Sequence, residues 1–374
     1  MALPTFDPGF TTARMTDVFS GPRRIATMLG VERALAAAQA TAGLVPEDAA
    51  AAIARVCASF DGDAEALLGA GWEAGTVVVP LLDALRAALE PEDARWLHFG
   101  ATTQDVVDTA SMLQARDGLE AVAPDLDRIA SRCRTLATFH RATGAQGRTF
   151  LQSAVPTTFG HRAAGWWVAV DRAAQRLAAI RAALPLQLGG PVGHLAAFGA
   201  AADAVRAEMA RSLGLAAPVL AWHADRQPVR DVVSALAEAA NAAAKIALDV
   251  ALLAQPEIAE VKVRAGGSSS MPHKANPVDA MRALAAAEAC GGVAGVVTRG
   301  APQALERGLG AWHAEAFAVP LVFHTAAAAL EAIRRCLEGL EPDPARMAAH
   351  LRGGSPADLE AIAVEVDRVL RSKR

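Results

Sequence analysis

Apolar residues recur every three to four positions along most of this chain, the spacing that places them on one face of an α-helix. Two short stretches with this spacing cover residues 31–42 and 48–60. Five stretches are longer than the mean protein helix of about 11 to 12 residues, and they cover residues 105–143, 158–184, 229–253, 277–298 and 316–340. The β-branched run Val77–Val79 is too short to predict a strand. The pattern therefore predicts an all-α protein built on a bundle of long helices.

The lengths of these stretches also predict how the chain is divided. Residues 1–104 are expected to form a small N-terminal helical domain, and residues 105–340 the central long-helix bundle. Residues 341–374 are expected to form a shortened C-terminal helical region. Within it, Ser355 before Pro356, with Asp358 three positions after the serine, is the pattern of a helix start.

Composition and charge exclude several classes of function. The 374 residues include four cysteines with no C-x-x-C pair, so neither a disulfide framework nor a cysteine zinc site is expected. The net charge is −4 and no basic stripe occurs, so nucleic acid is not an expected partner. The N-terminus lacks a secretory signal, and charged residues interrupt the apolar stretches. A cytoplasmic protein that does not span a membrane is expected.

Polar loops separate the long helices, and the loop at residues 265–277 carries the most chemistry. Gly266 and Gly267 precede three serines, and Lys274 and Asn276 follow before a proline. Such a loop can present backbone N–H groups and a lysine to an anion. The alternative is a solvated connector in which Asn276 caps the next helix. A second loop, Gln187–His194, is either a backbone nest for an anion or a plain turn between helices.

Three of these loops resemble the motif regions of the fumarase/aspartase superfamily, in the same order along the chain. Residues 267–277, GSSSMPHKANP, resemble its signature G-S-S-x-M-P-x-K-x-N-P, and HFGATTQD at 98–105 and RTFLQSAVPTTFG at 148–160 resemble its first two motifs. The second motif, the Trp222-His223 pair and residues 306–315 are most similar to the bacterial 3-carboxy-cis,cis-muconate cycloisomerases.

The resemblance implies a long-helix bundle in a homotetramer whose sites each take loops from three chains. It implies that Ser268 is the catalytic base, that Lys274 stabilises its alkoxide, and that Asn276 holds a substrate carboxylate. Arg226 is expected to meet a carboxylate with two parallel hydrogen bonds, and His98 to act in catalysis. The other expected substrate-binding residues come from all three motif loops: Thr102, Thr103, Gln104, Thr149, Gln152 and Met271.

Several of these positions have simpler alternatives. His98 is otherwise a residue that orders its own loop, and Arg226 is otherwise part of a surface ion pair. Glu306, Arg307, Trp312 and His313 suit helix packing and a site equally well.

One departure from the superfamily concerns the general acid. Many relatives carry a histidine at the position of Phe150 or Ser153, and this chain has none there. His98, His194 or a water molecule held by Ser153 would have to take that role.

The function implied is the closure of 3-carboxy-cis,cis-muconate, a small tricarboxylate, to 4-carboxymuconolactone in protocatechuate breakdown (the β-ketoadipate pathway). This reaction needs no cofactor, and no pair of histidines at helical spacing predicts a metal site. One alternative is a C–N lyase of the adenylosuccinate type, although no sure phosphate site occurs. Another is a catalytically silent structural oligomer, against which the intact Ser268, Lys274 and Asn276 argue.

Overall fold

The structure is a computed structural model, which describes residues 7–267, 270–271 and 274–372. Within these residues the helices are α1 Ala13–Val18, α2 Gly21–Thr41, α3 Glu47–Ala58, α4 Ala64–Glu73, α5 Val78–Ala87, α6 Pro91–Ala94, α7 Thr103–Phe139, α8 Phe159–Ala182, α9 Ala202–Leu213, α10 Gln227–Ala254, α11 Val278–Gly300, α12 Ala311–Glu338, α13 Pro344–His350 and α14 Pro356–Arg371. Two 3₁₀ turns lie at Pro8–Phe10 and Ala196–Ala201. Two small antiparallel pairs complete the fold, β1 Gly144–Thr149 with β2 Gln152–Thr158 and β3 Val261–Lys262 with β4 Glu341–Pro342.

The predicted all-α class is confirmed, and the five predicted long helices appear as α7, α8, α10, α11 and α12. Helix α7 continues through Pro124. The Val77–Val79 run lies at the start of α5, where Pro80 is tolerated because the first helical turn needs no N–H partner. The proposed domain boundaries at residues 104 and 340 lie close to the start of α7 and the end of α12, and the division itself stays a prediction.

Helix α2 begins ten residues before its predicted start. Ser20 caps it by accepting a hydrogen bond from the Arg23 backbone N–H at 3.3 Å, and Pro22 occupies its first turn. Gly21 and Pro22 therefore belong to a helix start, although in sequence they resemble a break. The predicted start at Ser355 is confirmed, because Ser355 and Asp358 form a capping box at α14.

The second motif loop folds differently from the prediction. Residues 147–160 were expected to be a polar loop, and most of them form the β1–β2 hairpin with Thr149 opposite Gln152. Phe150 and Leu151 form its two-residue tip with φ of 50° and 61°. Two positive φ values are what a type I′ turn requires, and this turn matches the twist of the two strands.

Helices α7, α10 and α12 run in one direction. At one end, Arg226 precedes α10 and bonds to Asp108 near the start of α7 and to Glu315 near the start of α12. At the other end, Arg132 of α7 donates to the carbonyl of Leu337 at the end of α12 at 3.1 Å.

Helices α8 and α11 run in the direction opposite to α7, α10 and α12. Arg181 at the end of α8 pairs with Glu120 in the first half of α7, and Asp279 at the start of α11 faces Arg335 at the end of α12. The packing is close, because a Cβ added to Gly118 of α7 would lie 2.7 Å from the Phe323 ring of α12. At about 1.5 Å per residue, the 37 residues of α7 separate the two ends of the bundle by about 55 Å.

Helix α11 keeps part of its apolar surface uncovered. Within the described residues, two helices, α11 and α12, are long and apolar enough to cross a membrane by length and composition, but 72% of the apolar window in α12 is buried, as in a core helix. In α11 only 39% is buried. Its outer face presents Met281, Ala285, Gly291 and Gly292 to solvent, together with the charged Arg282 and Glu288.

Candidate active site

The predicted site residues lie at opposite ends of the bundle. Those at the start of α7 are His98, Thr102, Thr103, Gln104 and Arg226. Those at the hairpin end are Thr149, Gln152, Met271, Lys274 and Asn276. Ser268, the predicted base, lies outside the described residues. One chain therefore does not bring the two groups together.

Asp105 organises the end of the bundle at the start of α7. Its carboxylate, 1% exposed, accepts hydrogen bonds from the backbone N–H groups of Thr102 (3.0 Å), Gly189 (2.9 Å) and Gly190 (2.9 Å). It also accepts one from Nε2 of His223 at 2.7 Å. Of the two alternatives for residues 187–194, the turn between helices and the anion nest, the loop has the backbone N–H groups of a nest at Gly189 and Gly190, and the anion they hold is the protein's own carboxylate.

Thr102 and Thr103 remain half-buried above this carboxylate, where polar groups of a ligand can reach them. Gln104 is fully buried, and its Nε2 donates to Asp108 Oδ2 and to the His223 carbonyl, both at 3.0 Å. The predicted substrate contact of Gln104 does not match this position, because its amide joins elements of the fold.

Arg226 is also placed differently from the prediction. It is 1% exposed, and all three of its nitrogen atoms donate to Asp108 or Glu315. The guanidinium lies 4.8 Å from the centre of the Trp222 ring. Burial alone would lower the pKa of Arg226, but the two carboxylates raise it above its usual value. Arg226 thus binds buried carboxylates of the protein itself and is not part of a surface ion pair, and its contact with a substrate stays a prediction.

Arg307 is the cation that reaches the first motif loop. Its Nη2 donates to Thr102 Oγ1 at 2.8 Å and to the Pro191 carbonyl at 3.2 Å. Its Nε and Nη1 make no hydrogen bond with the described residues, and the side chain is partly exposed. The neighbouring Trp312 is buried and donates to Asp108 at 3.0 Å, so it serves packing. In the sequence, helix packing and a place in the site were equally good interpretations of both residues.

His98 lies on the loop before α7 with φ of 61°, an uncommon conformation for a residue with a side chain. Its Nδ1 lies 2.6 Å from Oε1 of Glu32 on α2, and 11% of the side chain is exposed. Burial lowers the pKa of His98, but Glu32 raises it by charge and hydrogen bond and Asp105 adds to this, so the pKa is raised overall. The ring is therefore anchored at one nitrogen, and its protonated form persists to higher pH than that of a free histidine.

At the hairpin end, the tip of the hairpin projects into solvent. Phe150 is 99% exposed, Leu151 is 69% exposed, and Ser153 is also exposed. Thr149 and Gln152 flank the tip as partners in the ladder. A single chain leaves these apolar side chains without cover.

Hydrogen bonds hold the two ends of the signature loop, residues 265–277, close together. Gly266 and Asn276 exchange backbone hydrogen bonds of 2.8 Å and 3.2 Å, and Asn276 Nδ2 donates to the Gly267 carbonyl at 3.2 Å. A Cβ on Gly266 would lie 2.2 Å from Val278, so this close approach requires glycine. Lys274 is exposed near the top of the loop.

Glu260 ties the hairpin to the segment that leads into the signature loop. Its buried carboxylate accepts hydrogen bonds from both terminal nitrogens of Arg148, at 2.6 Å and 3.2 Å. His350 of α13 lies 3.0 Å from the same carboxylate. Burial raises the pKa of Glu260, but the hydrogen bonds from Arg148 and His350 lower it below its usual value. The C-terminal region is thus attached to both motif segments.

No group of three or more His, Cys, Asp or Glu side chains among the described residues is arranged to hold a metal ion.

Comparison with known proteins identifies the family. Residues 10–295 match the family of lyases called Lyase_1. The chain belongs to this lyase family. The predicted resemblance to the fumarase/aspartase superfamily is thereby confirmed.

Two relatives and one solved structure show which members of the lyase family this chain is similar to. A 3-carboxy-cis,cis-muconate cycloisomerase of Pseudomonas aeruginosa is 41% identical over 92% of this chain and 77% of its own length. A nitrosuccinate lyase of Streptomyces davaonensis is 41% identical over 87% of this chain and 72% of its own length. The crystal structure of the 3-carboxy-cis,cis-muconate lactonizing enzyme from Pseudomonas putida superposes with a TM-score of 0.86 at 36% identity, over 99% of this chain and 88% of that one.

Proposed function

We propose that this lyase-family protein is a 3-carboxy-cis,cis-muconate cycloisomerase that forms 4-carboxymuconolactone in protocatechuate breakdown. The observation that carries the proposal is the 41% identity to a cycloisomerase over 92% of the chain. The substrate is a small tricarboxylate that carries three negative charges. We place the enzyme in the cytoplasm, and we infer from the superfamily resemblance that the reaction needs no cofactor.

The site supplies cations and neutral donors for those charges. Arg307 carries a positive charge at the Thr102 hydroxyl and keeps two nitrogens for a ligand. At the other end of the chain, the exposed Lys274 provides a second cation. Thr102, Thr103, Thr149 and Gln152 add neutral hydrogen-bond donors. Arg307 therefore takes the role that the superfamily resemblance assigned to Arg226.

The proton balance of the reaction explains why this chain can lack the histidine that many relatives carry at the position of Phe150 or Ser153. A carboxylate oxygen of the substrate bonds to a carbon of the double bond, and the electron pair moves to the carbon next to another carboxylate. That carbon then takes one proton from an acid, and in the reverse direction the same group removes this proton as a base, which is the role that the resemblance assigns to Ser268. The attacking carboxylate is already ionised and has no proton to lose. A second acid or base at Phe150 or Ser153 is therefore dispensable, whereas an amine leaving group would need one.

A homotetramer with shared sites accounts for the two separated groups. The bundle holds them about 55 Å apart in one chain, so one site needs ends from different chains. The uncovered apolar face of α11 and the exposed Phe150 and Leu151 supply surfaces for such contacts. An antiparallel arrangement of two bundles brings the hairpin end of one chain to the start of α7 in another.

The experiment that tests the function follows ultraviolet absorbance with three substrates. The purified protein is expected to remove the absorbance of 3-carboxy-cis,cis-muconate as the conjugated double bonds are lost. Nitrosuccinate is the second candidate, because one relative is a nitrosuccinate lyase and nitrite, like a carboxylate, leaves without a proton. Adenylosuccinate represents the lyases with an amine leaving group. Turnover of either alternative, without turnover of 3-carboxymuconate, would overturn the proposal.

Arg307→Met is expected to lower kcat/KM by at least about a hundredfold, because a charged hydrogen bond to a substrate carboxylate is lost. Methionine keeps most of the aliphatic stem and so preserves packing. Arg211→Met is the matched control, since Arg211 pairs with Glu208 on the surface of α9 and the described residues offer it no other ion pair. Steady-state kinetics with 3-carboxymuconate measure both variants. Equal kcat/KM for the Arg307 variant and the wild type would remove Arg307 from the site.

A further inference from the structure

Helix α2 holds the loop before α7 with two buried side chains on one face. Glu32 bonds to the His98 ring, and Gln39, seven residues later, donates from Nε2 to the Phe99 carbonyl at 2.7 Å. Seven residues are two helical turns, so both side chains point the same way. Glu32 is 1% exposed and Gln39 is 0% exposed. One anchor is charged and the other is neutral.

The charged anchor decides which nitrogen of His98 is available to a ligand. The Glu32 carboxylate can only accept a hydrogen bond, so Nδ1 of His98 must carry a proton. Nε2 makes no hydrogen bond with the described residues, and the ring retains some exposure. His98 lies in the same loop as Thr102, and the hydroxyl of Thr102 accepts a hydrogen bond from the Arg307 cation. The free nitrogen thus belongs to the polar end of the bundle where substrate carboxylates are proposed to bind.

We propose that Glu32 is a positioning residue that fixes His98 as a protonated ligand, donating from Nε2 to a substrate carboxylate. This inference rests on the proposed function for the identity of the ligand, a small polycarboxylate. It assigns to α2, outside the three motif regions, a part in the site. The buried charge of Glu32 has no other cation beside it among its hydrogen bonds in the described residues, so its partner is the imidazolium itself.

The charged groups around His98 come from three helices. Glu32 of α2 and Asp105 of α7 raise its pKa, whereas Arg86 of α5 opposes them. An opposite charge within hydrogen-bond distance shifts a pKa by about one to three units. Because the pKa of His98 is raised, the protonated form persists to higher pH, and substrate binding is expected to weaken as pH rises through that pKa. Removing the Glu32 charge moves this loss to lower pH.

The test compares Glu32→Gln with Gln39→Met in the full-length protein. Glutamine keeps the size and the acceptor of Glu32 but not its charge, whereas Gln39→Met removes the neutral anchor of the same loop. Diethyl pyrocarbonate reacts only with neutral imidazole, so peptide mass spectrometry of the His98 peptide against pH reports its protonation without any substrate. Glu32→Gln should lower the midpoint of this reaction by about one pH unit or more. Gln39→Met should leave the midpoint unchanged.

Kinetics then connect the protonation to the ligand. For Glu32→Gln, KM for 3-carboxymuconate should begin to rise at a lower pH than in the wild type. The difference in pH should equal the shift of the modification midpoint, and kcat should change less than KM. An unshifted modification midpoint in Glu32→Gln would overturn the inference, as would an equal shift in Gln39→Met. A shifted midpoint together with an unchanged pH profile of KM would also overturn it. If the wild type does not turn over 3-carboxymuconate, the proposed function fails. Protection of His98 by tricarballylate, a saturated tricarboxylate, then replaces KM as the readout, and absence of that protection overturns the inference.

Discussion

Arg226→Ala is expected to lower the free energy of unfolding by about 3–5 kcal/mol, because breaking a buried ion pair leaves uncompensated charge. In this chain one guanidinium pairs with two buried carboxylates, so its loss leaves both Asp108 and Glu315 without their cation at this end of the bundle. Burial raises the pKa of Glu315 even with Arg226 present, which shows that its environment disfavours the charge. Thermal unfolding followed by circular dichroism measures the loss.

Arg176→Ala is the matched control for this experiment. Arg176 pairs with Glu238 at the surface, where both side chains are largely solvated, and such a pair contributes about 0–1 kcal/mol. A folded Arg226→Ala protein with the wild-type unfolding temperature and a raised KM would contradict the buried network. Such a result would instead support the role that the superfamily resemblance implied for Arg226, which is to bind a substrate carboxylate.

The long helices could be predicted from sequence because their signal is local. Apolar spacing over 20 or more residues locates α7, α8, α10, α11 and α12 within a few positions. The hairpin could not be located in this way. Its tip uses Phe150 and Leu151 at positive φ, where turn-forming residues such as Asn and Gly would have given a signal. Its strands contain Gln, Ser and Pro, which do not favour a strand.

The site was harder to predict because its contacts join distant parts of the chain. Arg226 lies 118 residues from Asp108 and 89 from Glu315, and no local pattern pairs them. Arg307 lies 205 residues from Thr102 along the chain. No local sequence pattern could therefore decide whether Arg307 belongs to helix packing or to the site. The motif loops themselves were recognisable. Which side chains in them face a ligand depends on packing that the sequence does not display.

The separation of the two groups of site residues leads to the prediction with the largest change in activity. Ser268→Ala and Arg307→Met are each expected to remove nearly all turnover, one through the proposed base and one through a substrate cation. When the two inactive proteins are unfolded, mixed in equal amounts and refolded together, activity is expected to return to about a quarter of the wild type. Each site then draws its two ends independently from different chains, and one site in four receives both intact ends.

A mixture of Ser268→Ala with Lys274→Met is the control. Both changes lie in one loop, so every mixed site inherits a damaged signature loop and activity should stay absent. Native mass spectrometry is needed to confirm that mixed oligomers form in both cases. Mixed oligomers of the first pair that remain inactive would mean that both ends of one chain complete the same site. Since the bundle keeps those ends about 55 Å apart, that result would require a different arrangement of the helices, and an active monomer would contradict the shared site just as directly.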